Sequence, residues 1–152
     1  MQQFLGQWQG TGIAQFPSIQ TTHYRDLLIF EAHGDDPILK VEQKTWRIHD
    51  DLSESLLHWE SGFLRQLSDN ECEWINAQNN GRTEVLRGTI KVNTPSTFQI
   101  KLRGVVFSND PRMLNSERNL TVDNKTLNYT MNMATTAYPT SQIHLEATLT
   151  HL

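Results

Sequence analysis

Apolar and polar side chains alternate with a period of two through most of this chain, and that period predicts β-strands. In Thr97–Leu102 the apolar side chains at 98, 100 and 102 share one face. Tyr24–Phe30 starts polar and then becomes apolar on both faces, which predicts a strand covered on both sides. Trp8 and Trp46 fall inside similar segments. Turn signals punctuate the runs at Gly34-Asp35-Asp36-Pro37, Ser68-Asp69-Asn70, Asn79-Asn80-Gly81, Asn93-Thr94-Pro95-Ser96 and Asp123-Asn124-Lys125. No long window carries helical spacing. The best short helical candidate is Asp110–Leu114, with Pro111 suited to a first helical position.

The segments number about ten, with short turns and no crossover helices, which argues for an antiparallel up-and-down meander. A meander of that length curls, and closing it removes the exposed edges. The expected fold class is therefore all-β, a single antiparallel ten-stranded barrel forming one domain over residues 1–152. A barrel this wide is not filled by its own side chains, so an internal pocket is expected.

Composition narrows the function classes. The 152 residues carry a net charge of −4, so there is no basic excess to neutralise phosphates or to hold a membrane surface. Nucleic-acid and membrane partners are therefore not expected. A lone cysteine, Cys72, allows no internal disulfide and no multi-cysteine zinc site, which fits a reducing compartment. Met1–Gly6 has neither the basic start nor the apolar run of a signal peptide. A cytoplasmic location is expected. The sequence leaves the oligomeric state open.

Four stretches are candidates for chemistry. Gly6–Gly12 reads G-x-W-x-G-x-G. No helix follows it, so a dinucleotide site is a poor reading. Gly10 and Gly12 lie in phase with Trp8, which fits an indole plug with glycines relieving crowding beside it. Phe16–Thr22 is a polar connection in which Ser18 either meets an anionic group or caps a turn. In Leu57–Arg65, His58 and Glu60 share one strand face. With His144 they could form a two-histidine, one-carboxylate iron site, although a structural His–Glu hydrogen bond or a solvated face is the plainer reading. Finally, Met133–Leu149 reads as strand, loop and last strand. A neutral imidazole at His144 could bind a metal or heme iron. Alternation opposes this: His144 is in phase with Glu146, Thr148 and Thr150, away from Leu145, Ala147 and Leu149. It reaches a pocket only if a bulge or bend re-aims it, or if the apolar set packs outside the cavity. His23, His33, His49 and His151 read as ordinary surface residues.

Taken together, these segments resemble the nitrobindins, heme-binding β-barrels within the lipocalin-like and fatty-acid-binding-like folds. The resemblance runs from Gly6–Gly12 and Phe16–Ile19 through Gln43–Trp46, His58–Arg65 and Ala77–Gly81 to Met133–Thr136 and His144-Leu145. It implies a ten-stranded barrel with ferric heme b at one open end and His144 as the proximal iron ligand. It places Ser18 and Met133 beside the cofactor, with Ser18 standing where the family has Thr. Asn80 also stands where the family has Thr. Arg118 matches, but Leu120 replaces an expected aromatic. The resemblance further implies an apolar distal wall, binding of nitric oxide, and isomerisation of peroxynitrite to nitrate. Three other readings are a carrier of a fatty acid or other apolar molecule, a non-heme iron oxygenase using His58, Glu60 and His144, and a heme-free interaction module.

Overall fold

A computed structural model describes residues 1–94 and 96–152. Pro95, part of one predicted turn, lies outside the described residues. Ten strands follow one another: β1 (Gly6–Phe16), β2 (Ile19–Ala32), β3 (Ile38–Ile48), β4 (Glu54–Gln66), β5 (Glu71–Gln78), β6 (Thr83–Thr94), β7 (Thr97–Ser108), β8 (Met113–Asp123), β9 (Thr126–Thr135) and β10 (Tyr138–His151). Each pairs antiparallel with the next, and β10 returns to β1 to close the barrel.

The predicted alternation sets the wall. On β1 the inward positions are Trp8, Gly10, Gly12, Ala14 and Phe16. On β2, Tyr24, Asp26, Leu28 and Phe30 are buried, while Leu27 and Ile29 on the outer face are only half-buried. The expectation that β2 is covered on both sides is thus corrected. A barrel wall is a single layer, so neighbouring side chains alone shelter its outer face.

One end is packed shut. A short 3₁₀ turn at Gln2–Phe4, which the alternation did not predict, folds Phe4 beneath the barrel. Phe4 contacts Phe30 and Phe98, with ring centroids 5.2 and 5.4 Å away. Trp8 Nε1–H donates to the Phe4 carbonyl at 2.7 Å, so the indole is a plug, as its pattern suggested. His151 is not an ordinary surface residue. Its ring meets Trp8 edge-on at 4.7 Å, and Nε2 is bonded to the Leu5 carbonyl at 3.0 Å. Gly10 is required here, because a Cβ would lie 2.1 Å from the Thr148 carbonyl oxygen.

The other end is an open mouth, reached by the turns after β1, β3, β5, β7 and β9. The short helical candidate at Asp110–Leu114 is the turn into β8, where Asp110 caps the Arg112 N–H at 3.2 Å and Met113 already pairs with Thr135. Pairing at this end is broken by single extra residues: Leu57 opposite Thr45/Trp46, Val105 opposite Val85/Leu86, Leu114 opposite Ala134/Thr135, and His144 opposite Met131/Asn132. Such bulges bend a strand and re-aim its side chains, and barrel rims collect them.

Candidate functional site

The bulge at 144 resolves the conflict in the last strand. Ile143 pairs with Asn132 and Leu145 with Met131, leaving His144 as the extra residue. Leu145, Ala147 and Leu149 keep their inward phase, and His144 lines the same interior cavity as Leu145. Its Nδ1–H donates to the Gln15 carbonyl at 3.1 Å, and its ring packs edge-on against Phe16 at 5.6 Å. That bond fixes the tautomer and leaves Nε2 without a partner among the described residues. Anchoring one imidazole nitrogen on a carbonyl is how proteins present the other to a metal. Burial lowers the His144 pKa, the Gln15 bond partly opposes this, and the Arg82 and His58 charges lower it further. The neutral, ligating form is therefore favoured.

The cavity beside His144 measures about 200 Å³. Ala14, Ile19, Leu57, Leu120, Met131 and Leu145 form its apolar wall. Tyr24, Gln43, His58, Glu60, Arg118 and Tyr129 form a polar side. The resemblance implied an apolar distal wall, and this polar side departs from it. The departure is modest in effect, because most of these groups are already committed to one another.

The first commitment centres on Arg118, buried over Trp74 with its guanidinium carbon 4.9 Å from the ring centroid. It grips Glu60 with both terminal nitrogens and also donates to Glu84 at 2.5 Å. Asn76 donates to Glu60 at 3.0 Å and to Glu84 at 3.2 Å. Burial alone would raise the Glu60 pKa. The Arg118 charge, together with bonds from His58 and Arg118, overcomes that and holds the carboxyl well below the usual range. Burial would likewise strip Arg118 of its proton, but Glu60 and Glu84 hold it firmly cationic.

The second commitment is a phenol–carboxyl cluster that the sequence reading missed. Asp26 is fully buried on β2. Its Oδ2 accepts from Tyr129 at 2.5 Å and from Gln43 at 2.8 Å. Gln43 also donates to the Tyr129 oxygen at 3.0 Å, and the Tyr24 and Tyr129 oxygens lie 2.8 Å apart. Because Tyr129 spends its proton on Asp26, Tyr24 must donate to Tyr129. Burial raises the Asp26 pKa to about 7 against the lowering effect of these bonds. It raises Tyr129 well above its ordinary value. Gly12 makes room for the Tyr24 ring, whose Cζ would stand 2.4 Å from an added Cβ. The available signal was Asp26 itself, a charged residue in the inward phase between Tyr24 and Leu28.

The other sequence candidates scatter. Ser18 sits exposed in the β1–β2 turn and does not line the cavity; its neighbour Ile19 does. Met133 is buried behind the mouth with Phe16 and Met113, while Met131 takes the lining position. Asn80 is exposed and caps the Arg82 N–H at 2.9 Å. His58 and Glu60 share one strand face as expected, that face turns inward rather than to solvent, and His58 Nε2 lies 3.3 Å from Glu60 Oε2. The iron triad of His58, Glu60 and His144 is not assembled: no three such ligands converge among the described residues. Both Glu60 oxygens are already taken by Arg118.

Similarity to known proteins matches this architecture. A family model described as the THAP4-like, heme-binding β-barrel domain matches residues 1–151. A peroxynitrite isomerase Rv2717c of Arabidopsis thaliana is 33% identical over 148 residues, covering 97% of this chain and 84% of that protein. A peroxynitrite isomerase of Nocardia farcinica is 29% identical, covering 95% and 84%. The crystal structure of Rv2717c from M. tuberculosis superposes with a TM-score of 0.88 at 28% identity, over 99% of this chain and 93% of that one. With a closed ten-stranded barrel and a family match over essentially its whole length, the chain belongs to the THAP4-like heme-binding β-barrel domains, the nitrobindin family.

Proposed function

We propose that this chain, as one domain over residues 1–152, binds heme b through His144 Nε2 and isomerises peroxynitrite to nitrate. The observation that carries this reading is the bulged His144, with Nδ1 anchored on Gln15 and Nε2, among the described residues, unpartnered beside the cavity. The names of the relatives from Arabidopsis and Nocardia support the reaction class.

The residues present fit the cofactor. A neutral imidazole suits iron, and Ile19, Leu57, Met131 and Leu145 offer an apolar seat. The cavity is smaller than the roughly 300–1,000 Å³ of pockets that enclose a drug-sized molecule. It therefore suits a small ligand, and a porphyrin would have to seat in the open mouth. When bound, heme would supply iron that can coordinate peroxynitrite or nitric oxide. His144 would hold that iron with a fixed tautomer. Leu120 and Met131 exclude water from the cavity wall. Arg118 is the cation of the lining, and Glu60 and Glu84 consume it, so a product anion is not trapped there. Ser18 and Met133 support the mouth from outside the cavity. A buried, lone Cys72 with no disulfide partner in the chain suits a cytoplasmic protein.

A fatty-acid carrier fits less well. An acyl chain in this cavity would cover the Asp26, Glu60 and Arg118 networks without any gain in hydrogen bonding. Hemin titration tests the proposal: the wild type should develop an intense heme absorption band and convert peroxynitrite to nitrate. A His144→Ala variant with the same spectrum and turnover would rule out the assignment.

A further inference from the structure

The mechanism above leaves the phenol–carboxyl cluster without a role. The chain has three tyrosines. Tyr24 and Tyr129 line the cavity shared with His144, while Tyr138 stands half-buried at the mouth against Phe16. Tyr129 has the setting of a phenol prepared to lose an electron and a proton together. Its hydrogen points at a carboxyl oxygen 2.5 Å away. Its oxygen accepts from Tyr24 and Gln43, two donors that would stabilise a phenoxyl oxygen.

We propose that Tyr129 is a one-electron donor in this cavity, reducing an oxidising radical of the nitrogen dioxide class while Asp26 takes its phenolic proton. The step balances. The O–H bond of Tyr129 breaks, its electron reduces nitrogen dioxide to nitrite, and the proton forms an O–H bond on Asp26. The products are a Tyr129 phenoxyl radical, a neutral Asp26 carboxylic acid and nitrite. A second nitrogen dioxide can then form a C–N bond ortho to the phenoxyl oxygen. The displaced ring hydrogen returns to that oxygen, giving 3-nitrotyrosine.

Geometry explains why the donor is Tyr129 and not Tyr24. Tyr24 donates to another phenol, a poor proton acceptor, whereas Tyr129 donates to a carboxylate. Burial strengthens Asp26 as a base relative to an exposed aspartate. Among the described residues its Oδ1 has no hydrogen-bond partner, so the acid formed meets no competing donor there. The consequence is a barrel that consumes such radicals inside its cavity before they reach solvent. The inference relies on the proposed function only for the identity of the oxidant.

The test uses the heme-free chain at pH 8, with nitrogen dioxide generated radiolytically from nitrite. Phenoxyl formation is followed by transient absorption and EPR, and nitrated tyrosines are located by peptide mapping. Nitration should favour Tyr129 over Tyr138, although Tyr138 is nearer the surface. Tyr129→Phe should abolish the buried radical. Asp26→Asn, which keeps all three phenols, should slow phenoxyl formation by roughly 100-fold, the low end for a positioned base. Label on Tyr24 or Tyr138 without Tyr129, or an unchanged rate in Asp26→Asn, would overturn the proposal. If Tyr129→Phe does not fold, the wild-type map and Asp26→Asn decide the matter. A chain that oxidises Tyr129 but never binds hemin would refute the cofactor reading and leave this one standing.

Discussion

The imidazole of His144 hangs from the backbone of Gln15: Nδ1–H donates to that carbonyl at 3.1 Å, joining the bulge of β10 to the end of β1. The acceptor is main chain, so the side chain at 15 contributes nothing to the bond. Gln15→Ala should therefore bind hemin like the wild type, whereas His144→Ala should lose the heme absorption band. Parallel hemin titrations check this, and equal loss in both variants would mean that the mouth, not the imidazole, holds the cofactor.

Acid should release heme. Burial depresses the His144 pKa below its ordinary 6.5, so the folded chain keeps the imidazole neutral where the unfolded chain is already protonated. Its favourable contribution is full above 6.5 and is lost as pH falls through the lower folded value. A ligating nitrogen must likewise be free of its proton. The absorption band of the hemin-loaded protein should thus persist at pH 6.5 and fade only in more acid solution. Fading that starts on the alkaline side of 6.5 would point to a different group.

Arg118 is a second sharp target. Replacing it with Met leaves Glu60 and Glu84 buried without their cation. Breaking a buried ion pair from one side costs about 3–5 kcal/mol. Urea unfolding of Arg118→Met should show a loss of that order. A loss below about 1 kcal/mol, typical of an exposed pair, would mean that water reaches the cluster.

At the closed end, Gly10→Ala drives a Cβ into the Thr148 carbonyl, and that carbonyl belongs to the β1–β10 ladder that seals the barrel. Overpacking of this kind costs about 1–3 kcal/mol. A thermal midpoint unchanged from wild type would show that the two strands part without penalty.

How much of this was written in the alternation differs from residue to residue. Trp8 as a plug and the shared strand face of His58 and Glu60 follow from period two alone, but Trp59 and Phe63 put the larger apolar groups on the opposite face, so the inward direction of the pair does not. His144 does not, because one extra residue in β10 reverses its side, and no local composition marks that insertion. Arg118 falls in the inward phase of β8, yet its partners Glu60 and Glu84 stand 58 and 34 positions away, and only barrel closure brings them together. Tyr24 and Tyr129 are 105 positions apart for the same reason. Ser18 adjoins the lining residue Ile19, and Met133 lies two positions from the lining residue Met131. Family position locates the mouth there, while side-chain direction decides which atom faces the cavity.

Asp26 provides the last prediction, with the opposite sign to His144. Folding raises its pKa from 3.8 to about 7, chiefly through burial. As pH rises above 3.8 the unfolded chain ionises first, so this group's contribution is full below 3.8 and is lost on the way to about 7. Asp26→Asn keeps an oxygen to accept the Tyr129 hydrogen but cannot ionise. Other titrating groups are common to both proteins and cancel in their difference. Urea midpoints at pH 5 and pH 8 should therefore show the variant gaining on the wild type as pH rises. A difference that stays constant between the two would mean that Asp26 keeps an ordinary pKa, and with it the base assigned to Tyr129 would lose its strength.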